Sequence, residues 1–167
     1  SDLANLPADM SSRQVVLARS QEIAARFADA GAQMDNMQLL LREDLKTTVQ
    51  TVNELTSNIA QLNQQIAAVN GLGQTPNDLL DARDRLLGEL SSHISITTVN
   101  ADDGTVGVFA GGGQRLVLGK EASAMAVVSS LGDPSRAVVA VMDNGVPLRL
   151  DEGSLGGGRI AGLLKFQ

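Results

Sequence analysis

The chain has 167 residues, a formal net charge of −6 and a hydrophobic content of 43%. This length allows one domain or two small ones. An acidic chain is repelled by phosphate backbones, and three Phe with no Trp or Tyr offer little for base stacking, so nucleic acid is not predicted as a partner. The absence of cysteine excludes disulfides and thiolate chemistry.

The sequence also argues against a membrane span and against a small-molecule binding site. No apolar run approaches the ~20 residues of a membrane span, and the start lacks a basic region followed by an apolar one. Ligand pockets are usually rich in aromatic side chains, which are scarce here. We therefore predict no cofactor, no metal and no small-molecule substrate.

The first half of the chain predicts a helical rod from about Ser11 to Asn70. Its apolar residues alternate spacings of three and four, as in a coiled-coil seam: Val52, Leu55, Ile59, Leu62, Ile66 and Val69. Continued toward the N-terminus, the same register meets apolar residues and three interruptions: Leu45, Leu41, Met34, Phe27 and Ala24, with Thr48, Gln38 and Gly31. We expect a kink or break near Gly31, within residues 29–36.

A helix with one apolar stripe is unstable alone in water, so the rod needs partners. Four seam positions form the candidate subunit-packing seam: Leu45, Val52, Ile59 and Ile66. They could pack within the subunit or against a neighbouring subunit.

A second helix is predicted after the glycines of residues 71–73. Thr75 is expected as its N-cap, Pro76 as its first helical residue, and leucines through Leu90 allow a hairpin back along the rod. The segment "NDLLDARDRLLGEL" (77–90) is dense in charge. We expect an exposed Asp81–Arg85 pair, and Arg83 or Asp84 could pair inward against the rod.

Beyond Ser91 the pattern changes to strands. Five are predicted in a small antiparallel sheet or partial barrel: Ile94–Val99, Thr105–Phe109, Arg115–Leu118, Ala137–Met142 and Val146–Leu150. Asp102-Asp103-Gly104 is a predicted turn, and Asp143-Asn144-Gly145 predicts a type I′ hairpin. Ile160, Leu163, Leu164 and Phe166 resume helical spacing. The fold class is α+β, a long helical rod and hairpin with an inserted small antiparallel β domain. We divide it into a helical domain (1–91), a β domain (92–150) and a glycine-rich return to the helical domain (151–167).

Catalytic and ligand-binding interpretations find weak support. The single histidine, His93, lies at the junction between helix and strand and is interpreted as a surface or hinge residue. The glycines at 111–113 and 156–158 match no phosphate-binding motif and are better explained as turns. Asp102-Asp103-Gly104 lacks the spacing of a calcium loop. The carboxylates of 78–89 suit the solvated side of a helix, so no catalytic residue is predicted.

An ordered set of segments resembles the family of flagellar hook-associated protein 1, the first hook–filament junction protein. The resemblance begins with "NDLLDARDRLLGELS", followed by "ISITTVNADDGTVGVFAGGGQRLVLG". It continues in "LNQQIAAVNG" (62–71), "DPSR" (133–136) and "GGGRIAGLLKFQ" (156–167). Phe166-Gln167 departs from the family, in which an arginine is common at the end. The order and spacing agree over roughly residues 11–167.

This resemblance implies a non-enzymatic structural protein of the bacterial flagellum. It implies export through the flagellar type III apparatus, an extracellular position at the hook–filament junction, and no role at a membrane. Expected partners are the hook protein, the second hook-associated junction protein and further copies in the axial assembly. The resemblance also implies a core fragment that lacks both termini of the family.

Two alternatives remain open from the sequence. One is another flagellar axial protein, either the second junction protein or a flagellin-like subunit, since these share heptad helices. The other is a wall-cutting hydrolase that would use Asp102, Asp103 or the acids of 78–89 as acid and base, motivated by clustered carboxylates near glycine turns.

Overall fold

The computed structural model of the protein describes residues 10–134 and 136–166. Residues 1–9 of the predicted helical domain, Ser135 of the "DPSR" segment and the terminal Gln167 lie outside the described residues. Two compact units divide the chain, one ending at Leu40 and the other beginning at Leu41. The predicted three-part domain division stays a prediction.

The first helix, α1, covers Met10–Asn70, close to the predicted bounds. The predicted break near Gly31 is wrong, because residues 29–36 are helical throughout. A glycine inside a helix costs only about 1 kcal/mol relative to alanine. Ala28, Ala30 and Ala32 surround this glycine and favour helix, which offsets that cost.

The second helix, α2, covers Asn77–His93 and forms the predicted hairpin with α1. Arg83 of α2 contacts Asn63 of α1, and the two residues lie at similar distances from the turn at 71–76, as antiparallel helices require. The N-cap position belongs to Pro76 rather than to Thr75, whose backbone carbonyl accepts from the Asn77 N–H instead. The predicted cap was therefore one residue early.

The C-terminus of α2 also differs from the prediction, since the helix continues to His93. The hydroxyls of Ser91 and Ser92 donate to the carbonyls of Gly88 and Glu89, both at 2.7 Å. These hydroxyls therefore bond back to carbonyls of the preceding turn and keep the two serines within the helix. Ile94 then caps the helix and is fully buried, so the first strand begins at Ile96.

Seven strands follow in the described part of the chain, two more than predicted. Their bounds are β1 Ile96–Asn100, β2 Val106–Ala110, β3 Gln114–Leu118, β4 Glu121–Ala122, β5 Met125–Ser129, β6 Ala137–Asp143 and β7 Val146–Arg149. They form two antiparallel sheets, β1-β2-β3-β4 and β5-β6-β7, so the prediction of one sheet is wrong, whereas the partial barrel stays a prediction. The missed strands are short or distant from their partner: β4 has only two residues, after the turn at Gly119, and β6, the partner of β5, begins only at Ala137.

Both predicted hairpin turns are present. Asn144 and Gly145 have φ values of 48° and 83°, the two positive angles that a type I′ turn requires. At the other turn, the Gly104 N–H donates to Ala101 and the Ala101 N–H to Thr105, with Gly104 at φ 85°. Local turn residues thus set both hairpins.

One hydrophobic core joins α1, α2, both sheets and a last helix, α3, at Gly158–Leu164. A short 3-10 helix, Glu152–Leu155, precedes α3. Arg159 of α3 pairs with Asp44 of α1 at 2.7 Å. The α+β class, with a long helix and small antiparallel sheets, is confirmed.

Candidate functional site

The four residues of the predicted subunit-packing seam lie inside the chain. Leu45, Val52, Ile59 and Ile66 are fully buried. Leu45, Val52 and Ile59 belong to the core shared with the strands. Of the two alternatives, these side chains therefore pack within the subunit. These four side chains are therefore not available at the surface.

Residues 13–40 of α1 differ from the rest of the helix in their exposure. Almost every side chain in this segment is exposed, including large apolar ones. Phe27 is 75% exposed and Met34 64% exposed. Together with Ile23, Met37 and the half-buried Val16 they fall within one side of a helix of 3.6 residues per turn. We name these five residues the exposed stripe.

A charged row lies on a different side of the same segment. Arg19, Glu22, Arg26 and Asp29 follow spacings of three, four and three, which align on one helix face. The Glu22 carboxylate and the Arg26 guanidinium form an exposed ion pair at 2.6 Å. Such pairs contribute little stability, about 0.3–0.5 kcal/mol. The charged row therefore forms a solvated side of the segment. Among the described residues, Ile23, Phe27, Met34 and Met37 of the exposed stripe remain exposed to solvent.

A buried asparagine organises the contact between α1 and the first sheet. Asn63 is fully buried, and its Oδ1 accepts from the Val106 N–H at 3.1 Å while its Nδ2 donates to the Val106 carbonyl at 2.8 Å. The same Nδ2 donates to the Gly119 carbonyl at 2.8 Å. Asn63 takes the buried place next to the predicted seam residue Leu62, which is only half-buried.

Asn53 makes the equivalent contact with the second sheet. Its Oδ1 accepts from the Met125 N–H at 2.7 Å and its Nδ2 donates to the Met125 carbonyl at 2.9 Å. Val106 and Met125 are the first residues of β2 and β5. The two amides therefore pair with strand backbones much as another strand would.

The tip of the β1–β2 hairpin is held by side chains from both helices. Arg83 is 8% exposed, and its guanidinium donates to the Gly104 carbonyl at 2.7 Å and to Asn63 Oδ1 at a long 3.5 Å. Asn70 donates to the Asp103 carbonyl at 3.2 Å. Any side chain on Gly104 would collide with the Asn70 amide. The inward pairing of Arg83 is confirmed, whereas Asp84 is exposed.

Asp103 stabilises this tip from within the turn. Its carboxylate accepts from the Thr105 hydroxyl at 2.7 Å and from the Thr105 N–H at 2.9 Å. These bonds, the hydroxyl first, lower the pKa of Asp103. Because the folded pKa lies below the unfolded one, the contribution to stability is present at neutral pH. It is lost as the pH falls through the folded pKa. Asp103 is thus a turn residue in this geometry.

Other residues considered for chemistry are not brought together. Arg85 donates to the backbone carbonyl of Asp81 at 3.4 Å, so the predicted side-chain pair is wrong. His93 is partly buried at the end of α2, and its Nδ1 has no hydrogen-bond partner among the described residues. Within the described residues, no group of three or more His, Asp or Glu side chains could hold a metal ion.

The glycines at 111–113 form the turn between β2 and β3, and all three have positive φ. A depression of about 300 Å³ lies beside them, lined also by Ser95, Thr97, Phe109, Ala110 and Ser154. These described lining residues are uncharged, which does not suit a phosphate group. Among the helices in the described part of the chain, none is long and apolar enough to cross a membrane.

Comparison with known proteins identifies the family. A family model described as "Flagellar hook-associated protein FlgK helical domain" matches residues 1–167. The chain belongs to the FlgK family of flagellar hook-associated proteins. In Salmonella typhimurium, flagellar hook-associated protein 1 is 30% identical over 162 residues, which cover 95% of this chain and 29% of that protein. The Bacillus subtilis protein of the same name is 40% identical over 95 residues, 57% of this chain and 19% of that protein.

A solved structure also matches. The flagellar hook junction protein FlgK from Burkholderia pseudomallei has a TM-score of 0.86 and 36% sequence identity, and the match covers 98% of this chain and 30% of that one. The chain thus spans about three tenths of the length of these FlgK relatives. The FlgK fold therefore includes both the helical hairpin and the two small sheets.

Proposed function

We propose that this chain is part of a non-enzymatic structural subunit that joins the hook to the filament of the bacterial flagellum. Membership of the FlgK family supports the flagellar role. The structural observation that carries the proposal is the exposed stripe of residues 13–40, with Phe27 as its most exposed member. Large exposed apolar rows of this kind mark interaction surfaces in proteins.

The partners follow from the same surface. The exposed stripe packs against other helices of the axial assembly, contributed by further copies, the hook protein or the second hook-associated junction protein. Helices that pack in this way use apolar residues at spacings of three and four, as the stripe does. The subunit is exported through the flagellar type III apparatus and acts outside the cell.

A complementation experiment with the full-length protein tests this function. In a strain that lacks the junction protein, the wild-type protein is expected to restore attached filaments, counted by electron microscopy. If cells still shed filament subunits into the medium despite normal export of the protein, the junction role is wrong.

The stripe itself is tested in the same strain by Phe27→Asp. A carboxylate on the packing surface is expected to reduce filament attachment strongly without reducing export, because burial of an unpaired charge is unfavourable. Gln33→Asp, on the polar side of the same segment, is the matched control and should restore attachment. Full attachment with Phe27→Asp would contradict the role of the stripe while leaving the junction role intact.

A further inference from the structure

The apolar contact between α1 and the sheets does not by itself define one register. Leu45, Val52, Ile59 and Ile66 are fully buried, all aliphatic, and spaced seven residues apart. The buried hydrophobic residues among those described include no aromatic side chain whose shape would anchor the sheets. Hydrophobic attraction is non-directional. A shift of the sheets along α1 by one or two turns would therefore keep much of the apolar burial.

The two asparagines supply the direction that the apolar contact lacks. Asn63 binds both backbone groups of Val106, and Asn53 binds both backbone groups of Met125. One contact fixes the first sheet and the other fixes the second. Each is satisfied in only one position, because a hydrogen bond weakens steeply with distance and angle.

The spacing of the asparagines differs from the repeat of the aliphatic seam. The amides are ten residues apart, whereas the seam repeats every seven. A shift of seven residues toward the C-terminus places Asn70 opposite Val106 but Ala60 opposite Met125. The opposite shift places Thr56 and Lys46 at these two positions. Either shift leaves backbone groups of Val106 or Met125 without their amide, which is unfavourable for a buried group.

We infer that Asn53 and Asn63 act as a two-point register lock, which fixes where each sheet sits along α1. Arg83 completes the lock at the first point, since it donates to both Asn63 Oδ1 and the Gly104 carbonyl. The lock is a conformational device of the fold and does not depend on the identity of the flagellar partners. It makes the positions of the strands relative to the helix unique in a core built from interchangeable aliphatic residues.

Distances between paired spin labels test the lock, and the absence of native cysteine makes specific labelling possible. One pair is placed by Gln61→Cys and Thr98→Cys, which joins α1 to the first sheet. The other is placed by Gln61→Cys and Ser129→Cys, which joins α1 to the second sheet. All three positions are exposed. In the otherwise wild-type chain, each pair is expected to give one narrow distance distribution.

The variants then separate the two points of the lock. Asn63→Leu is expected to add a second population to the 61–98 distance, displaced by about 5–10 Å, which is one to two helical turns. Asn53→Leu is expected to do the same for the 61–129 distance. Asn58→Leu, the same substitution at an exposed position of α1, is the control and should leave both distances single.

Two results would overturn the inference. One is a single, wild-type distance in both asparagine variants, which would mean that apolar packing alone sets the register. The other is equal broadening in the Asn58→Leu control. Asn53 is only half-buried, so Asn53→Leu decides the question even if Asn63→Leu does not fold.

Discussion

At the scale of single residues, Arg83 is the member of the charged 77–90 segment with a defined structural role. The residue is nine-tenths buried, yet the partners of its guanidinium are a backbone carbonyl and an amide oxygen. Its Nε has no hydrogen-bond partner among the described residues. The buried charge of Arg83 forms directional hydrogen bonds to neutral acceptors, and its removal from water is unfavourable. Removal of the Arg83 side chain should therefore destabilise the tip of the β1–β2 hairpin more than helix α2.

We expect Arg83→Ala to lower the free energy of unfolding by about 2–3 kcal/mol, since the Gly104 carbonyl loses a charged donor and a void remains. Arg85→Ala, on the exposed side of the same helix, should change it by less than about 0.5 kcal/mol. Urea unfolding followed by circular dichroism measures both. Equal effects of the two substitutions would show that Arg83 contributes only through helix propensity.

The sequence pattern predicts an inward position for Arg83 but does not predict its partner Asn63. An arginine among leucines on a short helix can extend into solvent or turn toward the core. The pattern therefore allows the inward position that Arg83 takes. Asn63 is not predicted to be buried, because the seven-residue repeat places Leu62 at the seam instead. The broader buried face of α1, which includes Asn63, depends on sheets packed against it from distant parts of the chain. Spacing along one helix cannot predict that contact.

At the scale of elements, the entry into α3 depends on one close backbone approach. Gly158 has φ 86°, and a Cβ at this position would lie 2.7 Å from the carbonyl carbon and oxygen of His93. The end of α2 and the start of α3 therefore touch through their backbones. Gly162, inside α3, has no atom within 4 Å of an added Cβ. Position 158 thus requires glycine, whereas position 162 has room for a larger residue.

We predict that Gly158→Ala lowers the free energy of unfolding by more than about 1–2 kcal/mol, the cost of the left-handed backbone alone. The collision with His93 adds to this cost. Gly162→Ala should raise it by about 0.5–1 kcal/mol, because alanine loses less backbone entropy in a helix. Thermal unfolding of the two variants beside the wild type measures the contrast. A neutral Gly158→Ala would mean that α2 and α3 separate without loss of stability.

Elements with local signals were predicted well, and those defined by distant contacts were not. Asn144-Gly145 and Asp103-Gly104 fixed two hairpins, because each turn type demands its own residues. The strand β5 is followed by no two-residue hairpin turn, and its partner β6 begins only at Ala137. The division into two sheets likewise follows from pairing across the chain. Turn chemistry predicts hairpins, but it does not predict how hairpins assemble into sheets.

At the scale of the whole molecule, α1 contains two kinds of surface within one continuous helix. In residues 41–70 the apolar side chains lie in the core shared with the sheets. In residues 13–40 four of the five stripe side chains, all but the half-buried Val16, are exposed to solvent. Helices gain most of their stability from packing of an apolar face rather than from intrinsic propensity. The two segments should therefore differ in local stability.

Amide hydrogen exchange of the 167-residue chain is expected to reveal this difference. Amides near Leu45, Val52 and Ile59 should exchange with the slow rate of global unfolding, whereas amides near Phe27 should exchange about a thousandfold faster or more through local opening. Phe27→Asp should leave protection around Ile59 unchanged, while Ile59→Asp should abolish it, because that carboxylate would be buried without a partner. Uniform protection from residue 13 to residue 66 would contradict the prediction, since it would require that the exposed stripe is already covered in the isolated chain.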